Sequence, residues 1–307
     1  MVNTEVDLGF LKLKNPIITA SGTFGYGLEF KDLIDLNLLG GIVLKGIYNN
    51  EREGNEPPRI YESSSGILNS VGLPGIGKVK LKDVIKELSE LTSTPIIVNV
   101  CGEEYSEYVE VAGFFDDDKN VDALELNISC PNVHEGGKCP AQDKEHTFRL
   151  VKEIKDKVKK PVIVKLSPNV CDISEIAQSA ERAGADAISL VNTFLGIAID
   201  VKRKGFVFKN IVAGYSGPAI KPLALKLVWE VVNTVDIPVI GIGGITSGED
   251  VLEFIYAGAH AVQIGSINLV EPSAGKRILN ELSDLMQSLK IKKLEEVRGI
   301  VNKNLYE

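Results

Sequence analysis

The chain has 307 residues, 44% of them hydrophobic and 25% charged, enough to bury one large core or two small ones. A net charge of −8 makes the surface repel polyanions, which argues against nucleic acid or an anionic membrane as partner. Cysteines at 101, 130, 139 and 171 fit no zinc or iron–sulfur spacing, and a disulfide framework is out of place in a chain this long, so no metal is expected in it. No charged-then-apolar leader precedes Asp7, and no apolar run approaches the roughly 18 residues of a membrane span; the sequence predicts a reduced, soluble, cytoplasmic protein.

In chain order, short β-rich runs occupy 16 to 20, 40 to 46, 95 to 100, 122 to 128, 161 to 166, 186 to 192, 237 to 244 and 260 to 266. They are almost continuously apolar, as expected of a parallel sheet covered on both faces. Helical patterns lie between them. After the fifth run, Ile173, Ile176, Ala177 and Ala180 recur at helical spacing behind Asp172, a suitable N-cap. After the seventh, Ser247 and Asp250 resemble a capping box. Both helices end in an Ala-Gly-Ala run whose glycine suits a left-handed C-cap. Eight strands alternating with helices predict a (β/α)8 TIM barrel, a single domain over 1 to 307, with an open doubly wound sheet as the alternative. Residues 46 to 78 and 193 to 220 break the rhythm with Gly, Pro and charge, and are expected to be long loops over the barrel mouth.

Barrel chemistry sits where strands end. Those ends carry Ser21, Lys45, Asn99, Asn127, Lys165, Asn192 with Thr193, Gly243 with Gly244, and Gly265 with Ser266. Each lysine alone could be a stem reaching out from a barrel rim. Two lysines and three asparagines on one mouth carry a large desolvation cost without a ligand, and so suggest a pocket for an anion with many hydrogen-bonding edges. Glycines at the last two strand ends let a phosphate approach backbone amides, although sheet-to-helix packing also asks for glycine there. The run from Gly241 to Gly244 is no dinucleotide fingerprint, because the third glycine would fall on Thr246.

Cys130 follows the fourth run between Asn127 and Asn132, where a thiol can act as a general base if its surroundings favour the thiolate. Cys101 and Cys171 are expected to be inert core residues, and Cys139 could be a resolving thiol in a redox switch.

Together with GILNSVGLPGIG at 66 to 77, SGPAIKP at 216 to 222 and GIGGI at 241 to 245, the run NISCPNVHEGG resembles the dihydroorotate dehydrogenases over nearly the whole chain. The resemblance implies an FMN-containing (β/α)8 barrel that oxidises dihydroorotate to orotate in pyrimidine synthesis, with Cys130 as base. It further implies that Lys45, Asn69, Ser70, Val71, Gly72, Leu73, Asn127, Asn192 and Thr193 hold the substrate. Ser21, Gly46, Asn99, Lys165, Val191, Gly217, Gly243, Gly244, Gly265 and Ser266 would line the flavin, with Lys45 and Asn127 touching both ligands. The division is physically sensible. A thiolate suits proton removal, and a cation such as Lys165 suits the pyrimidine end of a flavin that tends to be anionic when reduced.

Cysteine in place of serine, and no N-terminal anchoring extension, separate the chain from membrane-bound members. HEGG after SCPNV separates it from the fumarate-using class 1A and resembles the NAD-dependent class 1B. That class implies a homodimer joined to a partner subunit carrying FAD and a 2Fe-2S cluster, a heterotetramer. Cys139 and Pro140, and GSINL at 265 to 269, depart from the usual class pattern and leave local loop shape open. Another FMN barrel acting on a pyrimidine ring, or a barrel that binds flavin without turnover, are the competing readings. The acidic balance speaks against a tRNA-modifying member, and a base together with Lys165 speaks against binding alone.

Overall fold

The protein is described from a computed structural model, which covers residues 2 to 129 and 140 to 303. Eight parallel strands close into a barrel: β1 Ile17–Thr19, β2 Gly41–Val43, β3 Ile96–Val100, β4 Ala123–Asn127, β5 Val162–Lys165, β6 Ala187–Leu190, β7 Val239–Ile242 and β8 Ala261–Ile264. Each pairs with its sequence neighbours, and β8 returns to β1 with Val262 opposite Ile17. The open-sheet alternative is thereby removed. Every predicted run contains one barrel strand. The runs read as continuously apolar because side chains pointing inward pack with one another while those pointing outward meet helices, and almost all are buried.

Helices α1 Gly77–Leu91, α2 Tyr105–Asp116, α3 Lys144–Lys155, α4 Ile173–Arg182, α5 Lys221–Val232 and α6 Gly248–Ala257 fill the intervals from β2 to β8, and after a short turn of helix, α7 Ile267–Val270, α8 Ala274–Ser288 follows β8. The expected caps are present. Asp172 accepts from the amides of Ser174 and Glu175, and Ser247 with Asp250 forms a reciprocal capping box. Gly258 closes α6 in the left-handed conformation at φ 114°, which lets the chain turn directly into β8. The first interval differs from expectation: two 3-10 turns, Leu28–Phe30 and Leu36–Leu38, replace a helix between β1 and β2. Among the described residues no helix is long and apolar enough to cross a membrane.

The two irregular stretches are not structureless, contrary to the sequence reading. Ile60–Ser63 and Gly66–Asn69 form a hairpin, Phe194–Ile197 and Val212–Ser216 form a second antiparallel pair, and Val212–Ser216 lies against Gly66–Asn69 to join all four into one sheet. Leu68, Ala198, Phe208 and Ala213 form its own small buried cluster. These strands are four or five residues long, and the pairing that joins Gly66–Asn69 to Val212–Ser216 links segments far apart along the chain, so no local period announces the sheet.

Candidate active site

Consecutive strand ends bring most of the expected residues together. Asn99 is wholly buried in β3, Lys165 ends β5 with 5% exposure, and Asn127 ends β4 opposite Lys165 in register. Asn127 is tied on both sides: its Nδ2 donates to Cys101 Sγ at 3.6 Å, and its Oδ1 accepts from Asn192 Nδ2 at 3.1 Å. Asn192 Oδ1 in turn accepts from the Thr193 amide at 2.9 Å. Each asparagine is thus held in one orientation before any ligand arrives, as preorganised recognition requires.

Cys101 was expected to be inert core. It is fully buried, but it also links the site, donating to Asn99 Oδ1 at 3.6 Å and accepting from Asn127. Gly46 packs over the same pair. A Cβ there would stand 2.8 Å from Cys101 Sγ and 3.0 Å from Asn99 Oδ1, so only glycine lets the chain cross this floor. Cys171 was placed in the core and is exposed, because the segment after β5 runs outward to the α4 cap at Asp172. Cys130 and Cys139 lie outside the described residues, which reach that segment from Ser129, two residues past the end of β4.

Lys45 follows β2 and is half-buried. Burial lowers its pKa from the usual lysine value, Glu29 opposes that change and Arg59 adds to it. A partly desolvated cation of this kind gains most from an anionic ligand. The segment from Asn69 to Leu73 comes near the neighbouring Gly46 through Leu73. Asn69 Nδ2 donates to the Gly214 carbonyl at 3.1 Å, fixing it to the neighbouring strand. Asn55, which sequence reading missed, pins Ser70 and Val71: its Nδ2 donates to the Ser70 carbonyl at 3.1 Å and its amide to the Val71 carbonyl at 3.0 Å. Gly72 and Leu73 both take positive φ, 75° and 50°. Leu73 then faces Gly46, near where a Cβ would be. Gly214 leaves room for the Thr193 hydroxyl, which a Cβ would meet at 2.3 Å, and Asn169, also missed, donates to the Thr193 carbonyl at 2.9 Å.

The remaining strand ends form a second group. Val191 lies beside Gly243, and Gly265 beside Ala20 and Thr23, next to Ser21. Gly217 has φ 112° and abuts Gly66 in the sheet over the mouth. At Gly243 and Gly244, φ is 134° and 70°, and a Cβ would strike Ala224 and Lys221 respectively, so helix packing by itself demands glycine there. Gly265 is different: the nearest atom to its would-be Cβ is 3.7 Å away, and Ser266 begins α7 without using its hydroxyl as a cap.

Beneath these groups lies a buried polar set absent from the sequence reading. Glu125 has no exposed surface and accepts from Asn99, Ser189 and Gln263, with Lys165 Nζ 3.7 Å away. Its signal was present as the carboxylate in the middle of DALELNI, inside the strand that Asp122 precedes, two residues before Asn127 and so on the same face of β4.

Comparison with known proteins gives the chain's relatives. The family profile described as Dihydroorotate dehydrogenase matches residues 3–286. A protein of Thermoanaerobacter pseudethanolicus named dihydroorotate dehydrogenase B (NAD(+)), catalytic subunit, is 48% identical over 302 residues, covering 97% of this chain and 98% of that protein. Proteins of the same name from Thermodesulfovibrio yellowstonii and Bacteroides fragilis are 45% and 44% identical, covering 96% and 97% of this chain and 97% and 99% of their own lengths. The chain belongs to the dihydroorotate dehydrogenase family.

Proposed function

We propose, from that membership, that the protein oxidises dihydroorotate to orotate in pyrimidine synthesis as the catalytic subunit of an NAD-dependent enzyme, a single catalytic unit over 1 to 307. The observation that carries the reading is the joined polar floor, in which Asn99, Asn127, Lys165 and Asn192 from four successive strands or their ends face one mouth in fixed orientations.

The floor fits a flavin mononucleotide. Asn99, Lys165 and Gly46 offer a flat, polar bed with no Cβ in the way at Gly46, while Gly265 and Ser266 leave space at the β8 end for a phosphate beside backbone amides. Ser21, Val191, Gly217, Gly243 and Gly244 complete the proposed lining. When bound, FMN supplies the two-electron acceptor that the side chains lack.

Lys45 pairs with the substrate carboxylate, and Asn69, Asn127, Asn192 and Thr193 match its amide edges, with Ser70 to Leu73 closing over it. The Cys130 thiolate takes the proton from one ring carbon. The electron pair so released would form the new double bond, the neighbouring carbon giving up its hydrogen and two electrons to the acceptor that bound FMN would supply. Lys45 and Asn127 would hold both ligands, which would orient the substrate for these departures.

Electrons must then leave the chain. The relatives named as catalytic subunits support a second subunit, proposed to carry FAD and a 2Fe-2S cluster and to complete a heterotetramer around a homodimer of this chain. The test is anaerobic mixing of the purified chain with dihydroorotate while the flavin spectrum is recorded. Bleaching is expected, and a spectrum that does not change removes the reading. Assay with NAD and fumarate side by side then decides the acceptor: brisk fumarate reduction by the chain alone would move it to the fumarate-using class.

A further inference from the structure

Glu125 has no exposed surface, and both oxygens of its carboxylate are gripped. Asn99 Nδ2 donates to Oε2 at 2.7 Å, while Ser189 Oγ and Gln263 Nε2 donate to Oε1 at 2.8 and 2.5 Å. A carboxylate accepts only, so the Gln263 amide must turn its nitrogen inward, and its own Oε1 is left buried without a hydrogen-bond partner. The counter-charge is Lys165, whose Nζ stands 3.7 Å from Oε2. Donors and cation come from β3, β5, β6 and β8, so the carboxylate braces four strands around one point beneath the mouth.

We infer that Glu125 is a positioning residue for the cofactor site: it holds the Lys165 ammonium in place and cancels much of its charge, so that a bound flavin meets an ion pair and not a lone cation. In low-dielectric surroundings a nearby opposite charge alters the field of its partner far more than it would in water. The charge-cancelling part rests on the flavin reading; the pairing does not.

The experiment compares wild type with Glu125→Gln, Lys165→Met and the double variant, each as the full chain in saturating FMN. In thermal melting, Lys165→Met alone leaves a buried carboxylate without its cation, and it should melt below the double variant, in which the carboxylate is also gone. A double variant no more stable than Lys165→Met overturns the pairing. In dye-poised titration, Glu125→Gln should raise the reduced-to-oxidised flavin ratio at a fixed potential about tenfold, roughly 30 mV for a two-electron couple, and Lys165→Met should lower it. A ratio in Glu125→Gln that is unchanged or lowered overturns the charge cancelling. Failure of every protein, wild type included, to retain FMN would sink the flavin reading, while the melting comparison would still decide the pair.

Discussion

On the floor of the barrel mouth, Asn99, Glu125 and Lys165 are each at most 5% exposed and joined to one another, whereas the four-stranded sheet above leaves Ile60, Leu195, Ile197 and Val212 between 46 and 61% exposed. The floor is part of the parallel ladder and shares the main core; the sheet rests on a cluster of four buried residues. The difference teaches how the site divides its work. A saturated floor can hold a constellation in one geometry, while a thinly packed sheet belongs to the low-stability end of the fold and is expected to open locally first.

The largest effect expected is one that separates chemistry from both regions. Cys130→Ser should leave the floor able to bind flavin yet slow flavin reduction by ~10²- to 10⁴-fold near neutral pH, since a hydroxyl is far harder to deprotonate than a thiol. Stopped-flow reduction at the wild-type rate would remove Cys130 from the mechanism.

Next, Phe208→Ala empties the centre of the upper sheet, where Phe208 is 2% exposed. Truncations of buried Phe cost about 3–5 kcal/mol. We expect that cost to fall on local opening, so amides of Phe194–Ile197 and Val212–Ser216 should exchange ~100-fold faster or more while those of β3 to β5 keep their protection. Equal acceleration in both regions would show that sheet and barrel unfold as one.

The opposite end of the barrel gives a control that touches neither region. His260 precedes β8, its Nδ1 accepts from the Val239 amide at 3.3 Å, and its pKa is pushed down to about 4, mainly by burial and also by Arg298. A base whose folded pKa is depressed binds protons more readily when unfolded, so its contribution is full above the unfolded value near 6.5 and fades as pH falls toward 4. The loss is at most about 3 kcal/mol. His260→Asn should flatten that part of the melting-temperature profile, and parallel profiles would refute the assignment.

The smallest effect belongs to Lys209 and Glu56, whose side chains pair at 3.1 Å while 73% and 74% exposed. Exposed pairs of this kind contribute about 0–1 kcal/mol. Lys209→Ala should therefore leave the melting temperature within about 2 °C of wild type, and a larger fall would mean that the pair helps to close the mouth.

Burial pattern explains what was readable. Strands covered on both faces are apolar along most of their length, so all eight barrel strands stood out, and so did the polar residues at their ends; Glu125, Ser189 and Gln263, buried within three of those strands, gave no sign of the partners they would meet. Asp172, Ser247 and Gly258 were readable because capping is a local matter of one or two turns. The upper sheet was not, since Phe194–Ile197 and Gly66–Asn69 meet only through Val212–Ser216. Cys171 was misplaced for a related reason: a single apolar residue in a loop carries no sign of which way the loop runs.

The sequence by itself determined the barrel, its strand order and the residue types at its mouth, because period, composition and motif are properties of neighbours along the chain. Only the tertiary structure decided that Cys101 bridges Asn99 and Asn127, that Asn55 and Asn169 fasten the upper segments, and that Glu125 sits opposite Lys165. Closing eight strands into a ring sets side chains from distant positions a few ångströms apart, and that registry exists only once the ladder has formed.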